Sequence, residues 1–283
     1  MHQKDDAASA RWTSRYVDAG GQHTHYVEAG DSHAPTVVLV HGGGAGADSI
    51  GNWRYTIPSL VDDYHVIAVD MLGFGRTAKP ESFEYSQAAR NRHLLDFLHA
   101  LRLERVALVG NSMGGATALG VAMLEPQLVD RLVLMGSAGL NAAITESLKP
   151  IVFYDYTMAG MRNLIAALTS SRFQVSDELV RIRYEQSIQP DTRRAYTATM
   201  DWIRSQGGLF YADDAIASVS VPTLIVNGKD DKVVPLKNAY RFLELLENSW
   251  GYLIPHCGHW AMLEAPMDFI TATRGFLQAE LRT

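Results

Sequence analysis

Short apolar runs that stop at polar residues or glycines recur along the chain. They are the runs at 36–40, 65–70, 105–109, 131–135 and 222–228. Runs of this length, rich in Val, Ile and Leu, are typical of strands buried on both faces of a parallel sheet. Between the second and the third run, residues 86–103 carry leucines at helical spacing. The alternation predicts an α/β fold with a mostly parallel, doubly wound sheet.

This alternation disappears after the run at 131–135 and returns only at 222–228. Residues 140–207 carry helical stretches such as MRNLIAAL and DELVRIRYEQ but no convincing buried strand. We interpret the segment as a helical lid inserted above the strand ends. The interpretation divides the chain into a core of residues 1–139 and 208–283 and a lid of residues 140–207.

The composition narrows the classes of function. The formal net charge of -6, without a long basic run, argues against a nucleic-acid-binding surface. Cys257 is the one cysteine of the chain, which excludes an intramolecular disulfide and a thiolate metal cage. The N-terminus lacks the apolar core of a signal peptide, and no apolar stretch reaches the length of about 18 residues that a membrane span needs. We therefore expect a cytoplasmic protein that binds neither nucleic acid nor membrane.

A serine in a glycine-rich turn is the strongest candidate for chemistry. Residues 110–114 read GNSMG, which matches the pattern G-x-S-x-G, and they lie between a predicted strand and a helix-compatible stretch. So sharp a turn strains the serine and requires hydrogen side chains at Gly110 and Gly114. The pattern alone also occurs by chance in glycine-rich loops. The setting of strand, turn and helix is what favours Ser112 as a nucleophile.

A serine hydroxyl needs a base, and that base needs an acid to orient it. His259 follows the last predicted strand, and a glycine before it gives the backbone freedom to aim the ring. Asp230 and Asp231 follow the strand at 222–228, and their spacing alone does not choose between them. The resulting order of serine, aspartate and histidine resembles that of the α/β-hydrolases.

A glycine-rich loop after the first apolar run predicts donors for a developing negative charge. Three glycines follow His41, and glycine lets the main chain approach a substrate closely. We expect the N–H groups of Gly42 and Met113 to form an oxyanion site. A phosphate-binding loop is the competing interpretation, but the Lys-Ser/Thr pair that such a loop requires does not follow the glycines.

Longer stretches around these residues resemble one family in particular. They are HGGGAGADSIGNW at 41–53, GNSMGGATALG at 110–120, LVLMGSAGL at 132–140, GKDDKVVP at 228–235 and HCGHW at 256–260. Over nearly its whole length the chain resembles the meta-cleavage product hydrolases of bacterial aromatic degradation, and most closely those of carbazole, dibenzofuran and biphenyl degradation. The resemblance implies the α/β-hydrolase fold, a serine-type hydrolase without cofactor or metal, and a homo-oligomer that is a dimer or larger.

The resemblance also implies roles for individual residues. It implies that Asp231 is the acid that acts with Ser112 and His259. It implies that the substrate is bound by Gly43, Asn52, Asn111, Arg183 and Trp260. The family cleaves 2-hydroxy-6-oxo-6-aryl-hexa-2,4-dienoates to 2-hydroxypenta-2,4-dienoate and an aromatic carboxylic acid, so that Arg183 of the lid is expected to bind the carboxylate. Aromatic residues of the lid region either form the pocket wall or pack as the core of the lid itself, namely Phe153, Tyr154, Tyr156, Trp202 and Phe210.

Other functions of the same fold are weighed against this one. A carboxylesterase uses the same triad and the same oxyanion donors, so the catalytic residues alone do not exclude ester hydrolysis. A ligand-binding homologue without enzymatic activity would usually have lost a catalytic residue, and here all of them are present. Dehalogenases and epoxide hydrolases of this fold carry aspartate where Ser112 stands, which argues against both.

Overall fold

Ten strands occur in the computed structural model, which describes residues 12–280 of the chain. They are β1 (Thr13–Ala19), β2 (Gln22–Ala29), β3 (Thr36–Val40), β4 (His65–Val69), β5 (Val106–Asn111), β6 (Val129–Met135), β7 (Leu140–Asn141), β8 (Leu209–Phe210), β9 (Thr223–Gly228) and β10 (Ser249–Ile254). Eight of them form one sheet in the order β1-β2-β4-β3-β5-β6-β9-β10, while β7 and β8 pair separately. The expectation that no signal peptide is present falls largely on residues 1–11, which lie outside the described residues.

The sheet confirms the predicted fold class. Each of the five apolar runs forms a strand, and the strands from β3 to β10 in the sheet are parallel. Because parallel strands end at the same edge, the register places Val40 beside Gly110 and Asn111 beside Met135. The loops that carry the candidate residues therefore begin at one edge of the sheet.

The hairpin of β1 and β2 has no counterpart in the predicted elements. Its strands contain few apolar residues, and the polar Thr24 and His25 occupy buried positions on β2. The Nδ1 atom of His25 lies 2.7 Å from a carboxylate oxygen of Asp70, which satisfies both buried groups. A local signal does exist in Gly20 and Gly21, whose φ angles of 60° and 80° suit a two-residue hairpin turn.

The described residues also form twelve α-helices. They are α1 (Ser49–Trp53), α2 (Ile57–Leu60), α3 (Gln87–Ala100), α4 (Met113–Leu124), α5 (Lys149–Val152), α6 (Met158–Leu168), α7 (Asp177–Ser187), α8 (Pro190–Ser205), α9 (Asp213–Ala217), α10 (Leu236–Leu245), α11 (Ala261–Glu264) and α12 (Pro266–Gln278). Helix α4 packs against β5 and β6, and residues 113–122 are all buried. The helix that follows the candidate serine is thus held firmly in the core.

Helices α5 to α8 lie within the segment 140–207. β7 at the start of this segment pairs antiparallel with β8, which lies just beyond its end, with Asn141 opposite Leu209. Strands of two residues leave no periodic pattern in a sequence, which is why they are not predicted. The closed base and the run of helices support the proposed division into a core and a lid at 140–207.

His93 is a buried histidine of α3 that should make stability depend on pH. Burial lowers its pKa to about 4, and its Nε2 lies 2.8 Å from the hydroxyl of Thr24. The folded protein therefore holds the ring neutral, whereas the unfolded chain binds a proton near pH 6.5. The contribution of neutral His93 to the free energy of unfolding is complete above about pH 6.5. It is lost as the pH falls towards about 4, and the total loss is about 3 kcal/mol.

We expect His93→Gln to remove much of this loss. Urea unfolding at several pH values between 7 and 4 measures it, because the free energy of unfolding of the variant should fall less than that of the wild type. His99→Gln is the control, since His99 lies exposed on the same helix. Equal pH slopes for His93→Gln and the wild type would contradict the assignment.

Candidate active site

Ser112 lies in the turn between β5 and α4 in a strained backbone conformation. Its φ is 56°, in a region that residues other than glycine rarely adopt. A side chain at Gly110 would come within 2.6 Å of Gly115 Cα, and one at Gly114 within 2.2 Å of the carbonyl oxygen of His41. These close approaches explain the two glycines of the motif. The turn places Ser112 at the start of α4, in the wall of a pocket.

His259 and Asp231 form a buried hydrogen-bonded pair. The Nδ1 atom of His259 lies 2.7 Å from Oδ2 of Asp231, and both side chains are 0% exposed. Oδ1 of Asp231 accepts the N–H groups of Val233 and Val234 at 2.9 and 2.8 Å. Asp230, the alternative acid, is exposed. The geometry thus pairs His259 with Asp231, the residue that the resemblance implies.

The second ring nitrogen of His259 faces a different environment. Its Nε2 is buried and has no hydrogen-bond partner among residues 12–280, and His259 lines the same pocket as Ser112. A neutral ring that donates from Nδ1 to a carboxylate keeps Nε2 as an acceptor. The bond between base and nucleophile often tightens only when a substrate is bound. The pair can therefore take a proton from a serine hydroxyl or from a substrate.

The backbone at Gly42 and Met113 can supply two N–H groups to an oxyanion. Met113 is the first residue of α4, so its N–H has no partner within the helix. A side chain at Gly42 would lie 3.3 Å from Cβ of Ser112, so this loop passes close to the nucleophile. The ring of His41 holds the loop, because Nδ1 donates to the Gly42 carbonyl at 2.7 Å and Nε2 accepts the N–H of Met71 at 3.0 Å. Burial lowers the pKa of His41 and favours the neutral ring that this pattern requires.

Glu264 fixes the loop that carries His259. Its Oε2 accepts the N–H groups of Ser170 and Gly258 at 2.8 and 3.1 Å, and its Oε1 accepts that of Trp260 at 3.2 Å. Glu264 is a supporting residue that the sequence pattern does not reveal, and the pattern that contains His41 does not reveal the role of its ring. The spacing of four residues from Trp260 becomes a signal only once α11 is known, because residues four apart lie on one helix face.

Arg183, on α7, is a buried cation in the wall of the same pocket. It takes part in none of the ion pairs within residues 12–280, and its Nε has no hydrogen-bond partner there. Its guanidinium carbon lies 4.9 Å from the centre of the Trp260 ring. Burial lowers its pKa to about 10, against the opposing influence of Asp48, so the group is protonated at neutral pH. A buried, unpaired guanidinium beside an aromatic ring suits an anion.

The remaining residues predicted to bind a substrate also reach this pocket. Asn52, Asn111 and Gly43 line it together with Arg183. The Nδ2 of Asn52 donates to Oδ1 of Asn111 at 3.4 Å, and Nδ2 of Asn111 donates to the carbonyl of Met135 at 3.1 Å. These amides give one part of the pocket its polar character.

The rest of the pocket wall is mainly apolar. It is formed by Ala138, Ile144, Leu148, Ile151, Val152, Leu168, Met200, Ile203, Leu209, Val233 and Val234. The expectation that lid aromatics line this pocket is wrong for Phe153, Tyr154, Tyr156, Trp202 and Phe210, none of which belongs to the wall. Three of the five line a separate groove instead, where the rings of Tyr154 and Tyr156 are tilted to one another and each makes an edge-to-face contact with Tyr196. A pocket with a few polar groups and an apolar wall is typical of a small-molecule site.

The polar side chains of the pocket carry a hydroxyl, an imidazole, a guanidinium and amides. Among residues 12–280, no three His, Cys, Asp or Glu side chains lie close enough to hold a metal ion. In that same part of the chain, every helix is too short or too polar to cross a bilayer.

Comparisons with known proteins bear on the family. Residues 35–266 match the family model of the α/β hydrolase fold. The chain is 55% identical over 276 residues to the 2-hydroxy-6-oxo-6-(2'-aminophenyl)hexa-2,4-dienoic acid hydrolase of Metapseudomonas resinovorans. The aligned residues cover 97% of this chain and 94% of that protein.

Two solved structures are similar over most of the chain. A serine hydrolase involved in carbazole degradation has a TM-score of 0.86 at 55% identity, covering 94% of this chain and 98% of that one. A meta-cleavage product hydrolase from Pseudomonas fluorescens has a TM-score of 0.88 at 36% identity, covering 93% and 97%. The chain therefore belongs to the α/β-hydrolase family and, within it, to the meta-cleavage product hydrolases.

Proposed function

We propose that the protein hydrolyses the C–C bond of 2-hydroxy-6-oxo-6-aryl-hexa-2,4-dienoates during bacterial degradation of aromatic compounds. The products are 2-hydroxypenta-2,4-dienoate and an aromatic carboxylic acid. The observation that carries the proposal is the buried Arg183, whose Nε has no hydrogen-bond partner within residues 12–280, in one pocket with Ser112 and His259. A simple ester needs no fixed cation, whereas the dienoate carries a carboxylate remote from its scissile bond. The 55% identical relative is named for a 2'-aminophenyl substrate, and we extend that substrate to this chain.

The pocket suits the two ends of such a substrate. The carboxylate is assigned to Arg183, whose guanidinium can donate two parallel N–H bonds. The C6 ketone is assigned to the N–H groups of Gly42 and Met113, beside Ser112. The aryl group then contacts the apolar wall, and its burial contributes about 25 cal/mol per Å².

The reaction requires an electron sink before the C–C bond can break. The 2-hydroxyl loses its proton and C5 gains one, with His259 as the transferring group, which gives a ketone at C2. The Ser112 hydroxyl adds to C6 while His259 takes its proton. The C5–C6 bond then breaks, and its electron pair passes through C4 and C3 to the oxygen at C2. That oxygen takes from His259 the proton that came from Ser112, and the dienol leaves. Water, activated by His259, releases the aromatic acid from Ser112.

In this proposal Ser112 is a nucleophile and forms an acyl-enzyme. The alternative is that Ser112 assists the direct attack of water on C6. Rapid quenching within the first turnover, followed by peptide mass spectrometry, distinguishes the two routes. An aroyl group on Ser112 supports the covalent route, and its absence throughout the turnover would contradict it.

Loss of colour is the direct test of the proposed function. The purified protein is mixed with yellow dienoates made by ring fission of a bicyclic and of a monocyclic catechol, and hydrolysis of a simple aryl ester is followed in parallel. Fast bleaching of the bicyclic product is the expected result. Ester turnover without bleaching would overturn the proposal and leave a carboxylesterase.

We also propose a cytoplasmic homo-oligomer, a dimer or larger, that assembles through β10. This strand is an edge of the sheet, and Trp250 and Tyr252 on it are 41% and 37% exposed. Met267 on α12 is 70% exposed. An edge strand with apolar side chains offers backbone hydrogen bonds and apolar surface to a second copy. The single cysteine, Cys257, is a free and buried thiol, in keeping with a reducing compartment.

Sedimentation of the purified protein tests this assembly. We expect the wild type to sediment as a dimer or larger and Trp250→Lys to shift towards the monomer, because a buried unpaired charge disfavours the contact. Tyr16→Lys is the matched control, since Tyr16 is exposed on β1 at the opposite edge of the sheet. A monomeric wild type at micromolar concentration would contradict the assignment.

A further inference from the structure

Asn141 is a polar residue in the otherwise apolar part of the pocket wall. It lies on β7 and contacts Val233, the residue whose N–H is held by the carboxylate of Asp231. Arg183 has different neighbours, because its guanidinium lies beside the ring of Trp260. Asn141 and Arg183 therefore mark different parts of one pocket.

The proposed binding mode brings the aryl group to the part that contains Asn141. In the dienoate, the carboxylate and the aryl ketone are at opposite ends of the carbon chain. With the carboxylate at Arg183 and the ketone at Ser112, the aryl ring extends towards the remaining wall, whose side chains other than Asn141 are mostly aliphatic. A polar group on that ring would find few other partners there.

The side-chain amide of Asn141 is only weakly engaged within the described residues. Its Nδ2 donates to the carbonyl of Val233 at 3.3 Å, and its Oδ1 accepts from Nδ2 of Asn238 at 3.4 Å. Both distances exceed the usual value of about 2.9–3.0 Å. An amide oxygen can accept two hydrogen bonds, so Oδ1 can accept one more from a ligand.

We propose that Asn141 recognises a hydrogen-bond donor at the ortho position of the aryl ring, as in a 2'-aminophenyl substrate; this inference rests on the proposed function. One N–H of an ortho amine turns towards the adjacent C6 ketone. The second N–H points away from the reacting centre and needs an acceptor, because an unpaired donor buried in an apolar wall is costly. Oδ1 of Asn141 is that acceptor. The residue determines specificity and takes no part in bond breaking.

Three substrates and two variants test the inference. The substrates carry a phenyl, a 2'-aminophenyl or a 4'-aminophenyl group, and the 4' isomer has a similar electronic effect with the donor in the wrong place. The variants are Asn141→Leu, which keeps the branched shape of the side chain without its polar atoms, and Asn141→Ala, which excludes a steric clash as the cause. Asn238→Ala removes the other hydrogen bond of the Asn141 oxygen and is the control for the position of β7. Steady-state kcat/KM is measured by loss of colour for every pair.

We expect both Asn141 variants to lower kcat/KM for the 2'-aminophenyl substrate by about tenfold, the effect of one hydrogen bond. Values for the phenyl and 4'-aminophenyl substrates should change less than about twofold, and Asn238→Ala should keep the preference of the wild type. An equal loss on all three substrates, or no loss on the 2' isomer, would overturn the inference while the proposed function stands. A wild type that bleaches none of the three would overturn the proposed function itself.

Discussion

Replacing Ser112 with alanine is expected to lower kcat for dienoate cleavage by about 10⁴-fold or more, since the loss of a triad serine can cost about 10⁶-fold. Without the hydroxyl no acyl-enzyme forms, although the His259–Asp231 pair and the backbone donors remain in place. Burst and steady-state phases of colour loss, followed by stopped flow at saturating substrate, measure the change. Binding of the dienoate should change little, because Arg183 is untouched.

The matched control for this variant is Ser205→Ala. Ser205 is exposed at the end of α8, and within the described part of the chain its hydroxyl bonds only to the carbonyl of Trp202 and to the side chain of Gln206. It should therefore keep the activity of the wild type. A Ser112→Ala protein that retained activity within about tenfold of the wild type would rule out nucleophilic attack by this serine. Hydrolysis would then have to proceed by water and His259.

The position of Ser112 is predictable because its cause is local. A buried strand, a tight turn and a helix follow one another within a few residues, and the two glycines are required by contacts with the same turn and with the adjacent β3. A local pattern of this kind survives in the sequence. The parallel sheet is predictable for a similar reason, since its central strands are buried on both faces and read as continuous apolar runs.

Where the cause is tertiary, the sequence leaves alternatives open. Asp230 and Asp231 are adjacent and chemically identical, and only the fold shows that one is exposed while the other is buried against His259. The hairpin of β1 and β2 is missed for a related reason. Its buried polar residues are stabilised by distant partners, as His25 is by Asp70, so the strand lacks the apolar pattern that would reveal it.

The supporting residues of the site are the least predictable. His41 and Glu264 act by holding backbone groups of the glycine-rich loop and of the loop before α11. His41 opens the glycine-rich stretch and Glu264 has no motif, but the supporting role of each depends on how two loops meet. Asn141 likewise becomes meaningful only when β7 closes the base of the proposed lid and brings it to the pocket.

Replacing Arg183 with glutamine is expected to lower kcat/KM for the dienoate by about 10²-fold, mainly through KM. Hydrogen bonds to a charged group are worth about 1.5–3 kcal/mol each, and this pair is buried. Lysine at this position keeps the charge but not the two parallel donors, so Arg183→Lys should lower kcat/KM for the dienoate by about tenfold. Hydrolysis of a neutral aryl ester, if any, should not change. Steady-state kinetics on both substrates separates loss of carboxylate binding from general damage.

The control lies two residues away on the same helix. Arg181 is exposed and pairs with Glu185, so Arg181→Gln should leave KM unchanged. If Arg183→Gln and Arg181→Gln had the same KM for the dienoate, Arg183 would not bind the carboxylate, and the pocket would be that of an esterase.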